Sequence, residues 1–286
     1  MPEATISLND SVDLQTHTTW SDGQWTPRAL FDALAGAGVR VVAVTDHDTL
    51  DGLPEMRTLG RTRGVHVVPA VEVTTNWRGR TAHLLCFARE FRGNALGDLV
   101  RATHERQLDN TREVHDVLLR RGHTFPRLPQ VLRERGGELA RPVDNATLLV
   151  EHGYAPNLAA ALDTIRAAGF HSVTADLSEA VGAAHASGAL AVIAHPGRHD
   201  GEIVRYEPDV LDDVHREAPF DGIEVYYPIH SPDQTAAYAR YAETRGLLVS
   251  AGSDSHGPRQ RPPIAYPARL VRPLLERCGI QVTERI

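Results

Sequence analysis

Residues 39–49 read VRVVAVTDHDT, a short apolar run that ends in Asp46, His47 and Asp48. A stretch of valine and alanine with almost no polar alternation is how a strand buried on both faces reads, and such strands belong to parallel sheets covered by helices. The same pattern returns at residues 65–71, 190–194, 222–226 and 247–251. Helical stretches fill the intervals. Thr26 followed by Pro27 is an N-cap and first-turn pair, and Gly36 and Gly38 close the helix that it opens. Asp176 and Glu179 have capping-box spacing before a helix that ends near Gly188. Strands alternating with helices predict an α/β fold with a parallel sheet, closed into a barrel rather than left open.

The rhythm stops between residues 97 and 170, where the pattern is helical, rich in arginine and poor in strand signals. Residues 99–121 read as one long helix, and Pro126, Pro129, Pro142 and Pro156 punctuate the chain beyond it. The expected organisation is a barrel domain formed by residues 1–96 and 171–286. Residues 97–170 are expected to be a helical cap inserted over its mouth.

A length of 286 residues suits a barrel that carries such an insertion. The net charge of −7 argues against a broad basic face that tracks long nucleic acid. A small phosphorylated ligand stays compatible with it, because a few arginines and bound metal ions reverse the local sign. Cys86 and Cys278 have no C-x-x-C spacing, so a disulfide framework is not expected and a reducing cytoplasm fits. No apolar run is long enough for a membrane span, and residues 1–10 lack the basic-then-apolar pattern of a leader.

The polar residues at the strand ends carry the chemistry. Around the first strand stand Asp13, Gln15, His17 and Asp22; the second ends in Asp46, His47 and Asp48; the third contributes Glu72, and His83 follows. Later runs bring His195 in A-H-P, Glu224 in I-E-V-Y-Y, and Asp254 and His256 in G-S-D-S-H. In a barrel of parallel strands, the C-terminal strand ends converge on one face, where active sites form. Alternation along a strand puts Gln15 and His17 on the same side, about 7 Å apart. Imidazoles and carboxylates clustered without cysteine suit Zn, Mn or Fe. A single such residue is more often a cap or a satisfied core histidine; a set that follows strand after strand is a metal site. His66, His104, His115, His123, His152, His171, His185, His199 and His215 show no ligand spacing and read as surface or core residues.

In this order, Q-T-H, S-D-G, T-D-H-D, E, H, A-H-P and S-D-S-H, the chain resembles the PHP (polymerase and histidinol phosphatase) phosphoesterase family. The resemblance covers residues 12–91 and resumes over residues 190–256. The phrase GIEVYYPIHSPDQ at residues 222–234 looks like the branch of nucleotide phosphatases and short-oligoribonucleotide exonucleases, and less like the histidinol phosphatases. The resemblance implies a distorted seven-stranded β/α (TIM-like) barrel holding two or three divalent ions. It assigns one ion to His17, Glu72 and Asp254, a second to Glu72, His83 and His195, and a third to Asp22, His47 and His256. Gln15 is the departure, standing where the family pattern has the first His of H-x-H. A glutamine carbonyl is a weaker, harder donor, so this position is expected to bind less tightly, to favour Mn, or to act only as a hydrogen-bond partner.

The implied reaction is hydrolysis of a phosphate ester by hydroxide held between metals, with no separate protein nucleophile. Asp13, Asp46, Asp48 and Glu224 read as residues that support ligands rather than bind metal. Arg198, in A-H-P-G-R, and Arg141, reaching down from the cap, are the expected phosphate contacts, because a guanidinium matches phosphate oxygens bidentately. Tyr226, Tyr227 and His230 are placed to flank a base or sugar. The expected substrate is a small phosphorylated molecule, a nucleotide such as a nucleoside 3′,5′-bisphosphate or very short RNA. The alternatives are histidinol phosphate hydrolysis and a metal-binding module without activity.

Overall fold

The computed structural model describes residues 4–134, 139, 142–198 and 203–284. The chain enters through β1 (Ala4–Ser7) and β2 (Ser11–Thr16). The Thr26 hydroxyl accepts from the Ala29 amide and starts α1 (Pro27–Gly36). β3 (Val39–Val44) follows, exposed only at Arg40. Next come α2 (Leu53–Arg63), which ends on left-handed Gly64, and β4 (His66–Val67). β5 (Ala70–Trp77) and β6 (Arg80–Phe87) come next as an antiparallel hairpin whose turn residues Arg78 and Gly79 both have positive φ.

Four helices follow: α3 (Ala95–Arg120), α4 (Leu128–Glu134), α5 (Pro142–Glu151) and α6 (Leu158–Ala167). They build an apolar centre of their own, with Val114, Leu118, Phe125, Leu149 and Ile165 in it. Alternation then returns with β7 (Ala175–Asp176), α7 (Leu177–Ala186), β8 (Leu190–Ile193) and α8 (Pro208–Glu217). It continues with β9 (Gly222–Tyr226), α9 (Pro232–Arg245) and β10 (Leu248–Ala251). β11 (Tyr266–Pro267), α10 (Arg272–Arg277) and β12 (Ile280–Thr283) complete the described chain. None of the described helices is long and apolar enough to cross a membrane.

One sheet has the order β10-β9-β8-β6-β5-β7 and another β11-β2-β3-β4, while β1 and β12 pair with each other. The pairs β2–β3, β3–β4, β8–β9 and β9–β10 are parallel, as expected from strands alternating with helices. β6 departs from that expectation: it runs antiparallel to both β5 and β8, because a two-residue turn rather than a helix leads into it. Two parallel bridges, Thr16 to Ser255 and His47 to Glu72, tie the two sheets together just beyond the ends of β2 and β3. Val12, Leu14, Val41, Leu85 and Val192 pack between the sheets. α7, α8 and α9 cover the outer face around Val71, Leu84, Ile193 and Ile223, and α1 and α2 cover β3. The bridges bring the strand ends, with their charged residues, to a common floor.

Candidate metal centre

The backbone places the site. His17 follows β2 directly, and its amide donates to the Ser255 carbonyl at 2.9 Å. His47 follows β3 and bridges to Glu72 on β5; His83 lies on the neighbouring β6. His195 follows β8, and Asp254 and His256 follow β10. Asp48, His195 and Asp254 have φ of 52°, 30° and 51°, conformations that cost a non-glycine residue about 1 kcal/mol or more each. Such strain collects where the surrounding structure fixes side chains for function.

Glu72 stands at the middle. Its Oε2 lies 3.0 Å from His17 Nε2, and its Oε1 lies 3.0 Å from His83 Nδ1 and 3.1 Å from His195 Nε2. His17 Nε2 is also 3.3 Å from Asp254 Oδ1, and His83 Nδ1 approaches His195 Nε2 to 3.2 Å. On the outer side, Asp22 Oδ2 lies 3.3 Å from His256 Nε2 and 4.0 Å from His47 Nε2. The rings of His17 and His256 stack with centroids 4.1 Å apart. Ligand atoms of His17, Asp22, His47 and His256 lie within 4.8 Å of one another, as do those of His47, Glu72 and His83, and those of His17, Glu72 and Asp254.

This donor set fits divalent cations. His17 is fully buried, yet neither of its ring nitrogens makes an aligned hydrogen bond, despite carboxylate oxygens nearby. Nitrogen and oxygen lone pairs aimed at shared points, rather than at each other's protons, are what a cation satisfies. The electrostatics agree. Burial alone would raise the Glu72 carboxyl, but His47, His17, His195 and His83 hold it well below the usual range. Asp254 likewise drops to about 2 against the cost of burial, chiefly through His17. Asp22 falls below its ordinary value beside His47 and His256, again against burial.

Gln15 is buried, and its side-chain amide donates to Glu72 Oε2 at 2.8 Å, while its carbonyl oxygen makes no hydrogen bond. Asp46 holds the loop between His17 and Asp22 by accepting from the Thr18 amide, the Thr18 hydroxyl and the Ser21 hydroxyl, each at 2.7 Å. Asp48 accepts from the Thr74 amide at 2.8 Å and from Gln107 at 2.7 Å. Asp13 accepts from the Ser253 and Ile264 amides, and burial raises its carboxyl to about 7. Glu224 takes the His195 amide at 2.8 Å, and burial keeps its carboxyl well above the usual range.

A cavity of about 590 Å³ opens beside the cluster, walled by Asp22, Asp254, His256, Arg198, Arg261 and Tyr227. Arg198 Nη1 lies 3.7 Å from Asp254 Oδ2, and the Tyr227 hydroxyl donates to the same oxygen at 3.1 Å. Arg261 was not singled out from the sequence. Its guanidinium stands 5.4 Å over the Tyr227 ring and 4.0 Å from Asp254. The local signal was its position five residues beyond His256, on the same loop.

Two expected substrate contacts are not among the residues that line this cavity. His230 is occupied by the backbone: Nε2 accepts from the Gly197 amide at 3.0 Å and Nδ1 pairs with the Val225 carbonyl at 3.0 Å. Tyr226 packs against the apolar core on both sides of its sheet. Arg141 lies outside the described residues. A second cavity, of about 270 Å³, borders Asp22 and His47, and His104 and His171, read as surface or core residues, line it.

Residues 13–181 match the family model of the PHP domain. The chain is 29% identical to a 3′,5′-nucleoside bisphosphate phosphatase of Chromobacterium violaceum, over 92% of this chain and 99% of that protein. It is 34% identical to a phosphoribosyl 1,2-cyclic phosphate 1,2-diphosphodiesterase of Eggerthella lenta, over 88% of this chain and 96% of that protein. A solved structure from Chromobacterium violaceum, described as an amidohydrolase with bound sulfate, is 27% identical, covers 93% of this chain and 96% of that one, and superposes with a TM-score of 0.73. With a family match over more than half its length and a histidine–carboxylate cluster at its strand ends, the chain belongs to the PHP domain family of metal-dependent phosphoesterases.

Proposed function

We propose that this chain hydrolyses a phosphate ester of a nucleotide-like sugar phosphate, holding two or three Mn, Zn or Fe ions. The observation that carries this reading is Glu72, whose two oxygens face different donor groups, His17 and Asp254 on one side and His83 and His195 on the other. The outer group of Asp22, His47 and His256 supports a third ion. We read β2, β3, β5, β6, β8, β9 and β10 as a distorted seven-stranded barrel, which the bridges at Thr16 and His47 support. Residues 97–170 are then a helical cap, favoured by their separate apolar centre.

Divalent ions so held supply Lewis acidity and charge neutralisation for the attack of water on phosphorus. The protein's own residues do the rest. Arg198 and Arg261 face the large cavity with the fork geometry that fits phosphoryl oxygens. The Tyr227 hydroxyl keeps Asp254 turned toward His17. Asp46 fixes the loop that carries Asp22. The ester P–O bond breaks, water supplies the new P–O bond, and the leaving alcohol takes a proton. Both relatives are named for esters of a phosphorylated sugar, which favours the nucleotide class over histidinol phosphate.

Phosphate release with added Mn²⁺ or Zn²⁺ tests the reading on adenosine 3′,5′-bisphosphate, mononucleotides, short RNA and histidinol phosphate. The expected result is metal-dependent turnover of a nucleotide that His195→Ala reduces at least a hundredfold. Metal binding without release from any of these would move the chain to a phosphoester outside this panel or to the non-catalytic reading.

A further inference from the structure

The two cavities meet at Asp22 but differ in character. The larger one carries two arginines; among the described residues, the smaller has no lysine or arginine on its wall, and Trp20, Leu162, Phe170 and Val173 supply its apolar surface. Asp22 borders both cavities, and Asp48, which lines only the smaller one, disfavours a second anion there. We infer that this smaller cavity is a base subsite: it takes the neutral, planar heterocycle of a nucleotide whose phosphoester lies over the metal cluster.

This rests on the phosphoesterase reading for its orientation, and on the cavity itself for its chemistry. Trp20 is 38% exposed, unusual for so large an apolar side chain, yet it is fixed in place. Its indole nitrogen donates to Glu55 at 3.1 Å, and its ring lies so close to Gly52 that a Cβ there would come within 2.6 Å of Cδ1. Gly52 is therefore the residue that lets the indole lie flat against the chain. Other lining residues are equally ordered. Gln107 is bound to Asp48 at 2.7 Å, and Asn110 donates to the Gly169 carbonyl and accepts from the His171 amide, each at 3.2 Å. At about 270 Å³ the space suits one ring system. An exposed aromatic face with amide-bearing residues in the same cavity is how proteins receive a base: stacking binds it, and polar edges orient it. A second anionic group of the substrate then points to Arg198 and Arg261, so the polarity of the two cavities orients the substrate across the metals.

The test compares adenosine 5′-monophosphate with ribose 5-phosphate on the full chain. The protein has three tryptophans; Trp25 is buried, Trp77 on the β5–β6 hairpin donates to Glu217 of α8, and neither lines the smaller cavity. Adenosine 5′-monophosphate should quench tryptophan fluorescence saturably, ribose 5-phosphate should not, and Trp20→Leu should abolish the quench. With Mn²⁺ added, Trp20→Leu should raise KM for the nucleotide about tenfold, the scale of one base–aromatic stack. KM for ribose 5-phosphate should stay within about twofold, the scatter of a substitution outside its contacts. Gly52→Ala, which keeps the indole but displaces it, should give an intermediate KM for the nucleotide. Quenching that survives in Trp20→Leu, or equal KM changes on both compounds, overturns the base subsite. Quenching without turnover of any phosphoester instead refutes the phosphoesterase reading and leaves the base subsite standing.

Discussion

Gln15 donates to Glu72 at 2.8 Å, so this residue orients the central carboxylate whether or not its carbonyl also reaches a metal. Loss of an oriented partner to a ligand lowers metal affinity about 10- to 100-fold. Gln15→Leu should therefore weaken Zn²⁺ binding about tenfold, read by competition with a chromophoric chelator. Gln15→His should tighten it, since imidazole is the better donor for zinc. Affinity unchanged in both variants would show that Gln15 has no hold on the site. Most of the candidate ligands were legible in the sequence because they follow apolar runs; Glu72 and His83 lie instead within β5 and β6. Arg261 and Trp20 were not singled out: closeness to His256 puts Arg261 on the loop of the site, but no local pattern says which arginine or tryptophan faces a cavity.

Among the elements, the loop after β8 depends on neutral His230, which accepts the Gly197 amide through Nε2 and pairs with the Val225 carbonyl through Nδ1. Burial lowers the pKa of this imidazole below 6.5, so the unfolded chain binds the extra proton first. Stability therefore falls as pH drops through 6.5, because a protonated Nε2 cannot accept from Gly197. His230→Gln keeps an acceptor and does not titrate. Urea denaturation at pH 7.5 and 5.5 should show wild type losing about 1 kcal/mol more than the variant on acidification. Equal losses would remove His230 as the cause. Gly252, just past β10, is a second constraint: a Cβ there would lie 2.4 Å from Gln15 Cβ and 2.5 Å from Glu224 Oε1. Gly252→Ala should destabilise by about 1–3 kcal/mol through overpacking, measured in the same assay. β3 and β9 lie at the residues their apolar runs indicated, because burial on both faces writes itself into composition. The β5–β6 hairpin was missed: apolar runs do not record strand direction, and only the short span at Arg78 and Gly79 does.

For the molecule as a whole, the histidine–carboxylate cluster links β2, β3, β5, β6 and the segments after β8 and β10, so a metal held there would bear on global stability. Ions that bind only the folded state stabilise it by about 2.7 kcal/mol at a hundredfold excess over Kd. Thorough removal of metal with a chelator should lower Tm by roughly 5–10 °C, and added Mn²⁺ or Zn²⁺ should restore it. An unchanged Tm, with metal loss verified by elemental analysis, would mean that the side chains hold their geometry without help. The α/β class, the alternation of strand and helix, the histidines and carboxylates that cluster and the family were all readable along the chain. Those are recorded locally, in the apolar content of buried strands and in the polar residues that end them. Folding in three dimensions was needed to set β6 antiparallel, to turn Glu72 toward two donor groups, and to commit His230 to the backbone. It was also needed to put arginines on the wall of one cavity and Trp20 and Phe170 on the wall of the other. Those facts depend on contacts between residues tens to hundreds of positions apart, and a one-dimensional pattern does not encode which distant side chains meet.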